Sequence, residues 1–403
     1  MKNRNVTLLL LVALAMLTFL DRIAISVAGP RMQAELGISP ERWGWVLGAF
    51  VLAYGLFEIP TGALGDRMGQ RSVLTRIVLW WSGFTALTGL ATGFRGLLLT
   101  RFLFGAGEAG AYPNASGVIA RWFPVREHAR CQGFIWAASR FGGALAPLLV
   151  VPLQTAVGWR AAFGILGAVG VLWAVVWRLW YRDGTDEDGA VAGAKKGHAS
   201  LPWRVLAASP QMRTIVAMYW CYAWGSWFFF AWFPTYLVKS AGFTEKQMGV
   251  IAALPFLMGT LGNLVGGTIS DRLVARWGLR LGRVAPGSLS LAVSAGLLVA
   301  MTMTRDKTAI VILSSLGFGV ADLMLPVAWA ICLDIGRESA GAVTGTMNTA
   351  GQLGGFVCSV TFGYIVQATG SYSVPVWIIS ALVLVAAFLF TRIDPEVRLP
   401  VLH

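Results

Sequence analysis

Three features of this sequence predict an all-α membrane protein of twelve transmembrane helices, arranged as two six-helix halves with both termini cytoplasmic. The 403 residues are 56% hydrophobic and only 13% charged, where a soluble protein carries about 25% charged residues. Mean hydropathy is +0.67, and the shortage of charge runs along the whole chain, which excludes a soluble domain with a single anchor. Apolar runs of the length a bilayer requires, about 20 residues, recur from end to end and are joined by short polar loops.

The expected spans are 6–28, 43–63, 73–93, 96–120, 130–152, 159–181, 211–238, 246–268, 284–304, 308–333, 341–366 and 373–391. The first is longer than a signal-peptide core and lacks a small-residue cleavage site, so it reads as retained. It is apolar except for Asp21 and Arg22. The second leads into Gly65-Asp66-Arg67-Met68-Gly69-Gln70-Arg71, and the third carries its one base, Arg76, near its start. The fourth holds Arg101 and Glu108, and the fifth holds Arg140. The seventh is crowded with aromatic residues, the tenth contains Asp322, the eleventh is rich in glycine, and the ninth and twelfth are uncharged. Between the sixth and seventh lies the longest polar stretch, which divides the chain into a first bundle (1–182), a linker (183–210) and a second bundle (211–403). The linker composition predicts a disordered middle with a short surface helix near 201–207.

The net charge of +13 raises the question of nucleic acid, and its distribution answers it. With both termini inside, 21 of the 32 Lys and Arg residues fall in inward loops, tails and the span ends beside them and 8 on the outward side, leaving Arg22, Arg101 and Arg140 deeper within the spans. That asymmetry is the positive-inside pattern and sets the orientation. The bias reflects topology, and no nucleic-acid partner is expected. The four cysteines (Cys131, Cys221, Cys332, Cys358) fall in or beside apolar spans, as small buried thiols do, with no disulfide or metal spacing. The three histidines (His128, His198, His403) all lie in loops or tails. No catalytic triad, nucleotide loop or metal cluster is visible, so an enzyme is not expected, and no cofactor.

The two halves repeat. Ser270-Asp271-Arg272-Leu273-Val274-Ala275-Arg276 follows the eighth span as the segment 65–71 follows the second, and the two Asp are about half the chain apart. Two halves with corresponding loops are expected of alternating-access transporters built from parallel repeats. The segment 65–71 resembles the Gly-x-x-x-Asp-Arg-x-Gly-x-Arg signature of the major facilitator superfamily. Further residues resemble the anion:cation symporter family within it, which includes proton-coupled sugar-acid transporters and sialin-like carriers. They are Asp21-Arg22 with Ser26 and Pro30, Tyr54 with Ile59-Pro60, Arg101 with Gly105, Gly107-Glu108-Ala109-Gly110 and Pro113-Asn114, and the Gly345, Met347-Asn348, Gly351 and Gly354-Gly355 series. The likeness runs nearly end to end.

A charge near the bilayer centre costs roughly 2.5–3.5 kcal/mol on insertion scales, so such residues normally face a partner or a watery cavity. Asp21, Arg22, Arg101 and Glu108 together suggest a site that binds an anion and handles protons. Neighbours on a helix point about 100° apart, so Asp21 and Arg22 address different partners. Arg101 and Glu108 share one helix face about 10 Å apart, too far to touch and wide enough to admit a small anion. A guanidinium grips a carboxylate through two parallel hydrogen bonds, which Lys does not reproduce. Taking a carboxylate out of water favours its protonated form, the property a proton carrier needs. The family resemblance implies that Asp21 is a protonation site and that Arg22 contributes to the anion site; Glu108 is the expected second coupling acid. A purely structural role, in which these charges neutralise one another and lock the fold, is the alternative.

Glu58 departs from the family, whose members commonly carry Gln there, and Arg140 raises the same question. They form either a compensating pair or a third proton or substrate contact. In the second half, Asp322 and Trp329 suggest an acidic, aromatic wall. Tyr54, Tyr219 and Tyr222 offer phenols to a sugar-like ligand, and Asn348 offers an amide between glycines that otherwise serve close helix packing. Asp66 with Arg67 and Arg71, and Asp271 with Arg272, are expected to gate: an Asp at a helix N-terminus beside an Arg latches the cytoplasmic side.

These residues together predict a monomeric inner-membrane symporter that imports a small organic anion with protons. Sodium remains open as the coupling ion, because carboxylates bind either. The rivals are an organic anion/phosphate exchanger, against which two titrating acids argue, and a non-transporting anion sensor, which would be expected to carry a signalling domain.

Overall fold

A computed structural model describes residues 4–123, 125–183, 206, 208–336 and 340–397. The chain divides into two compact units, 1–197 and 198–403. All the elements described are helical.

The first unit contains α1 (Arg4–Leu36), α2 (Pro40–Met68), α3 (Gln70–Thr88), α4 (Phe94–Glu108), α5 (Ala111–Trp122) and α6 (Val125–Trp180). α1 and α3 pack against α6, and α4 lies against α2 and α3. The second unit contains α7 (Pro210–Trp227), a π-helical turn (Phe228–Trp232), α8 (Phe233–Lys239), α9 (Glu245–Ile251), α10 (Leu254–Trp277), α11 (Leu279–Met303), α12 (Lys307–Asp322), α13 (Met324–Gly336), α14 (Ala340–Thr369) and α15 (Ser373–Thr391). Here α7 packs on α14 and α15, α10 on α12, and α11 on α15. Among the described residues, seven helical stretches are long and apolar enough to cross a membrane, including one of 48 residues, Gly133–Trp180.

The seven differ from the twelve expected spans for reasons visible in the backbone. The fifth and sixth spans belong to one helix, α6, interrupted only at Gly158 (φ 80°, ψ 156°). The fourth is split between α4 and α5. Gly110 between them has φ 87°, and a Cβ there would lie 2.5 Å from Thr61 Oγ1. Only glycine meets both conditions. The tenth span is split at Leu323, the eighth breaks before α10, and the seventh passes through the π-turn. Helix starts follow ordinary capping: Asp306 accepts from the N–H of Thr308 and Ala309 at 3.2 and 3.1 Å, and Thr244 with Gln247 forms a capping box.

The gating expectation needs correction. Asp66 and Asp271 lie within the last turns of α2 and α10, not at helix N-termini. Each helix runs on to a glycine of positive φ, Gly69 (80°) or Gly278 (82°), so the expected loops are helix ends. The side chains of Asp66 and Arg67, and most of the surface helix expected near 201–207, lie outside the described residues.

All four cysteines are buried thiols, and none is joined in a disulfide.

Candidate functional site

The charged residues of the first half converge. Arg22 of α1 donates through a terminal guanidinium nitrogen to Glu108 Oε1 at the end of α4, forming a buried ion pair. The carboxylate is 0% and the arginine 8% exposed. Asp21, one position earlier, faces elsewhere and accepts a 3.1 Å hydrogen bond from Trp81 Nε1 of α3. The 100° between helix neighbours sends the acid to α3 and the base to α4.

Aromatic faces hold the guanidiniums. Arg22 Cζ lies 4.8 Å from the Phe19 ring, 5.0 Å from Phe50 and 4.9 Å from Tyr54. Arg101 Cζ lies 4.9 Å from the same Phe50 ring and 4.4 Å from Phe104. Arg140, buried on α6, sits 6.0 Å from Phe19. A cation over an aromatic face gains about 0.5–2 kcal/mol and keeps its in-plane N–H edges available to a planar anion. Among the described residues, Arg22 Nε, Arg101 Nε, Glu108 Oε2 and Asp21 Oδ1 are buried with no hydrogen-bond partner. Buried polar atoms are normally satisfied, and orphans ask for an explanation. Two donor edges and two carboxylate oxygens lie unsatisfied within one cluster, so the cluster has capacity for a further anion and for protons.

Polar groups border the cluster. Tyr112 of α5 shares a 2.7 Å hydrogen bond with Ser139, the neighbour of Arg140, and stacks on Trp136 at 5.1 Å. Glu58 is half-buried on α2.

The second half gathers a different set. Asp322 ends α12 and is 0% exposed. Its Oδ1 accepts from the Tyr222 hydroxyl at 2.9 Å and its Oδ2 from Asn263 Nδ2 at 3.1 Å. Tyr219 packs 5.4 Å from Tyr222, ring to ring, and lies on Gly351 of α14, where a Cβ would come within 2.6 Å of the ring. Gly354 and Gly355 take the Trp220 carbonyl and the Trp227 ring in the same way. This part of the glycine series lets α14 approach α7. Asn348 and Trp329 are both half-buried, on α14 and α13.

Of the two expected gating residues in the second half, Asp271 accepts from Arg283 at 2.8 Å. The same guanidinium donates to Asp334 at 3.2 Å and to Ser270 Oγ at 3.0 Å. Arg272 is exposed; α10 and α11 meet at the Gly278 turn and bring Arg283 to the acid first. In the first half, Asp183 Oδ1 accepts from the Arg71 backbone N–H at 3.1 Å, capping α3, and the Arg71 side chain donates to the Arg178 carbonyl.

Sequence reasoning missed Trp81, Phe50, Phe104 and Asn263. The signal for Trp81 was present, since a tryptophan within an apolar span needs an acceptor for its N–H. The aromatic platforms carry no such mark.

The chain matches the Major Facilitator Superfamily profile over residues 11–359. It is 36% identical to the probable sulfoacetate transporter SauU of Cupriavidus necator, covering 98% of this chain and 94% of the relative. It is 30% identical to the probable L-galactonate transporter of Escherichia coli K12, over 92% and 84% of the two chains. The D-galactonate transporter of Escherichia coli O6:H1 is 29% identical over 98% and 97%. Among solved structures, a bacterial homolog of the human lysosomal transporter Spinster superposes with a TM-score of 0.83, covering 97% of this chain and 96% of that one at 19% identity.

Proposed function

This chain belongs to the Major Facilitator Superfamily, a superfamily of membrane transporters, and on that basis we propose that it imports a small organic anion, a sugar acid or related carboxylate, by proton symport and alternating access. The substrates for which these relatives are named, sulfoacetate and galactonate, are organic acids and support that class. Twelve crossings follow when α6 crosses twice about Gly158 and the pairs α4–α5, α7–α8, α9–α10 and α12–α13 each cross once. The basic residues then face the cytoplasm with both termini, in the inner membrane of a bacterium.

The observation that carries the reading is the buried Arg22–Glu108 pair beside the orphaned edge of Arg101. An arriving carboxylate competes with Glu108 for Arg22, and a proton on Glu108 removes the competitor. Anion and proton therefore bind together. Return of the proton to solvent restores the pair and expels the anion. Asp21 is the second acid in this scheme, held by a neutral donor until it takes its proton. Breaking a buried pair by deleting one partner leaves an uncompensated charge and costs about 3–5 kcal/mol, so the pair is itself a switch between two balanced states. Asp66 and Asp271 act at the cytoplasmic helix ends as gates, and protons couple transport without a cofactor. The protein acts as a monomer.

A thermal-shift screen of the purified chain tests this, with sugar acids, hydroxy acids, aromatic acids, acidic amino acids and phosphate esters as ligands. Ligands that bind the folded state raise its apparent stability. An acid that stabilises wild type and leaves Arg101→Ala unmoved is expected. A response confined to neutral or cationic compounds would sink the anion reading.

A further inference from the structure

We propose that Trp81 is a positioning residue for proton uptake at Asp21: its indole N–H holds Oδ2, so the proton is received on Oδ1. This rests on the reading that Asp21 carries a coupling proton, and names the atom that takes it and the group that decides which atom.

The assignment follows from what an indole is able to do. Trp81 Nε1 of α3 donates to Asp21 Oδ2 at 3.1 Å. Asp21 is 2% and Trp81 0% exposed, so bulk water does not compete at either end of the bond. An indole nitrogen donates and never accepts. A hydroxyl in its place would accept as readily as it donates and would follow the proton to either oxygen. Beside Trp81, a proton on Oδ2 would set O–H against N–H, two donors facing each other. A proton on the other oxygen leaves Oδ2 an acceptor, and the hydrogen bond survives. Oδ1 is buried and, among the described residues, has no hydrogen-bond partner. The carboxyl therefore changes its charge without turning, with one oxygen fixed and the other open.

The charges around Asp21 come from several helices and do not take the indole's place. Arg101 and Glu108 of α4 bear on it with opposite signs. Arg22 follows it on α1 and turns to Glu108. Tyr54 and Glu58 of α2, Tyr112 of α5 and Arg140 of α6 complete the titratable groups of the cluster. The hydrogen bond that Asp21 receives is the indole's. Behind the ring α6 presents Gly170, where a Cβ would stand 3.6 Å from Nε1, so the N–H edge is enclosed by α1 and α6. A hydrogen bond to an ionised carboxyl favours that form. The N–H thus helps Asp21 give up its proton, besides fixing where the proton sits.

The test uses the full chain in proteoliposomes and needs no substrate. Infrared difference spectra recorded from about pH 4 to about pH 10 follow the C=O band of each protonated carboxyl, and the band lost in Asp21→Asn belongs to Asp21. Trp81→benzothienylalanine exchanges the N–H for sulfur in a ring of the same shape, and Trp81→Phe removes the N–H with a smaller ring. In both variants the Asp21 band should titrate with a midpoint about one to two pH units higher than in wild type. Its frequency should also rise, because the C=O at Oδ2 has lost its donor. Packing by the ring is kept in the benzothienylalanine variant and would move neither reading. If Trp81→Phe does not fold, the isosteric variant decides alone. An Asp21 band whose midpoint and frequency stay in place there overturns the role of Trp81 and leaves Asp21 a proton carrier. Absence of an Asp21 band, or a band that persists across the whole range, overturns the reading beneath it.

Discussion

α4 ends at Glu108 and α12 ends at Asp322, each carboxylate wholly buried and each separated from a new helix by no more than two residues. Each is met by a residue from the first helix of its own half, Arg22 of α1 or Tyr222 of α7. The last carbonyls of a helix make its C-terminus unfavourable to negative charge, so both acids need donors. The donors differ. Glu108 has a guanidinium, whereas Asp322 has a phenol and the amide of Asn263. A charged partner can be handed to another anion when the acid takes a proton. Neutral donors hold a carboxylate without offering an arriving anion anything comparable. The repeat has kept the contact and changed its chemistry: at this position the first half has an ion pair and the second half neutral donors.

The sharpest way to break that comparison is Glu108→Gln. Accumulation driven by a pH gradient should fall to the equilibrium ratio while exchange of internal for external substrate persists. A mutant that still concentrates substrate would remove Glu108 from the coupling role. Next comes Arg101→Lys, which keeps the charge and loses the bidentate edge. A hydrogen bond to a charged group is worth about 1.5–3 kcal/mol, so affinity should weaken by roughly 10–100-fold in equilibrium binding. Unchanged affinity would refute the clamp. Asp322→Asn should do less. The amide can still accept from one of the two donors, for a loss of about 1 kcal/mol in thermal unfolding and accumulation within about twofold of wild type. Collapse of accumulation in Asp322→Asn would make the two halves equivalent and end the contrast. Smallest in affinity is Asp66→Asn, which should alter transport rate with binding changed by less than about twofold; a large loss of affinity would move Asp66 from gate to site.

The four charges of the first half were legible because a membrane makes charge expensive, so each one inside an apolar span announces itself. Their division was legible too: Asp21 and Arg22 had to part, and Arg101 and Glu108 could not touch. Which partner each would find was not. Arg22 reached Glu108 across 86 positions, and Asp21 found Trp81, because the fold brings α3 and α4 within side-chain reach of α1. Nor was the partner of Asp271 legible: Arg272 is adjacent in sequence, yet Arg283 arrives from the next helix.

Hydropathy and charge by themselves determined that this chain is a helical membrane protein of two related halves, with buried charged residues gathered in the first. Those properties depend on residue type and spacing against a uniform solvent, and both are written along the chain. Tertiary structure alone decided that Phe50 lies against two arginines, that Glu108 and Asp322 receive donors of different charge, and that α4 stops at Glu108. These depend on which helix faces meet at a given depth, and such close contacts are set by packing between residues far apart in sequence.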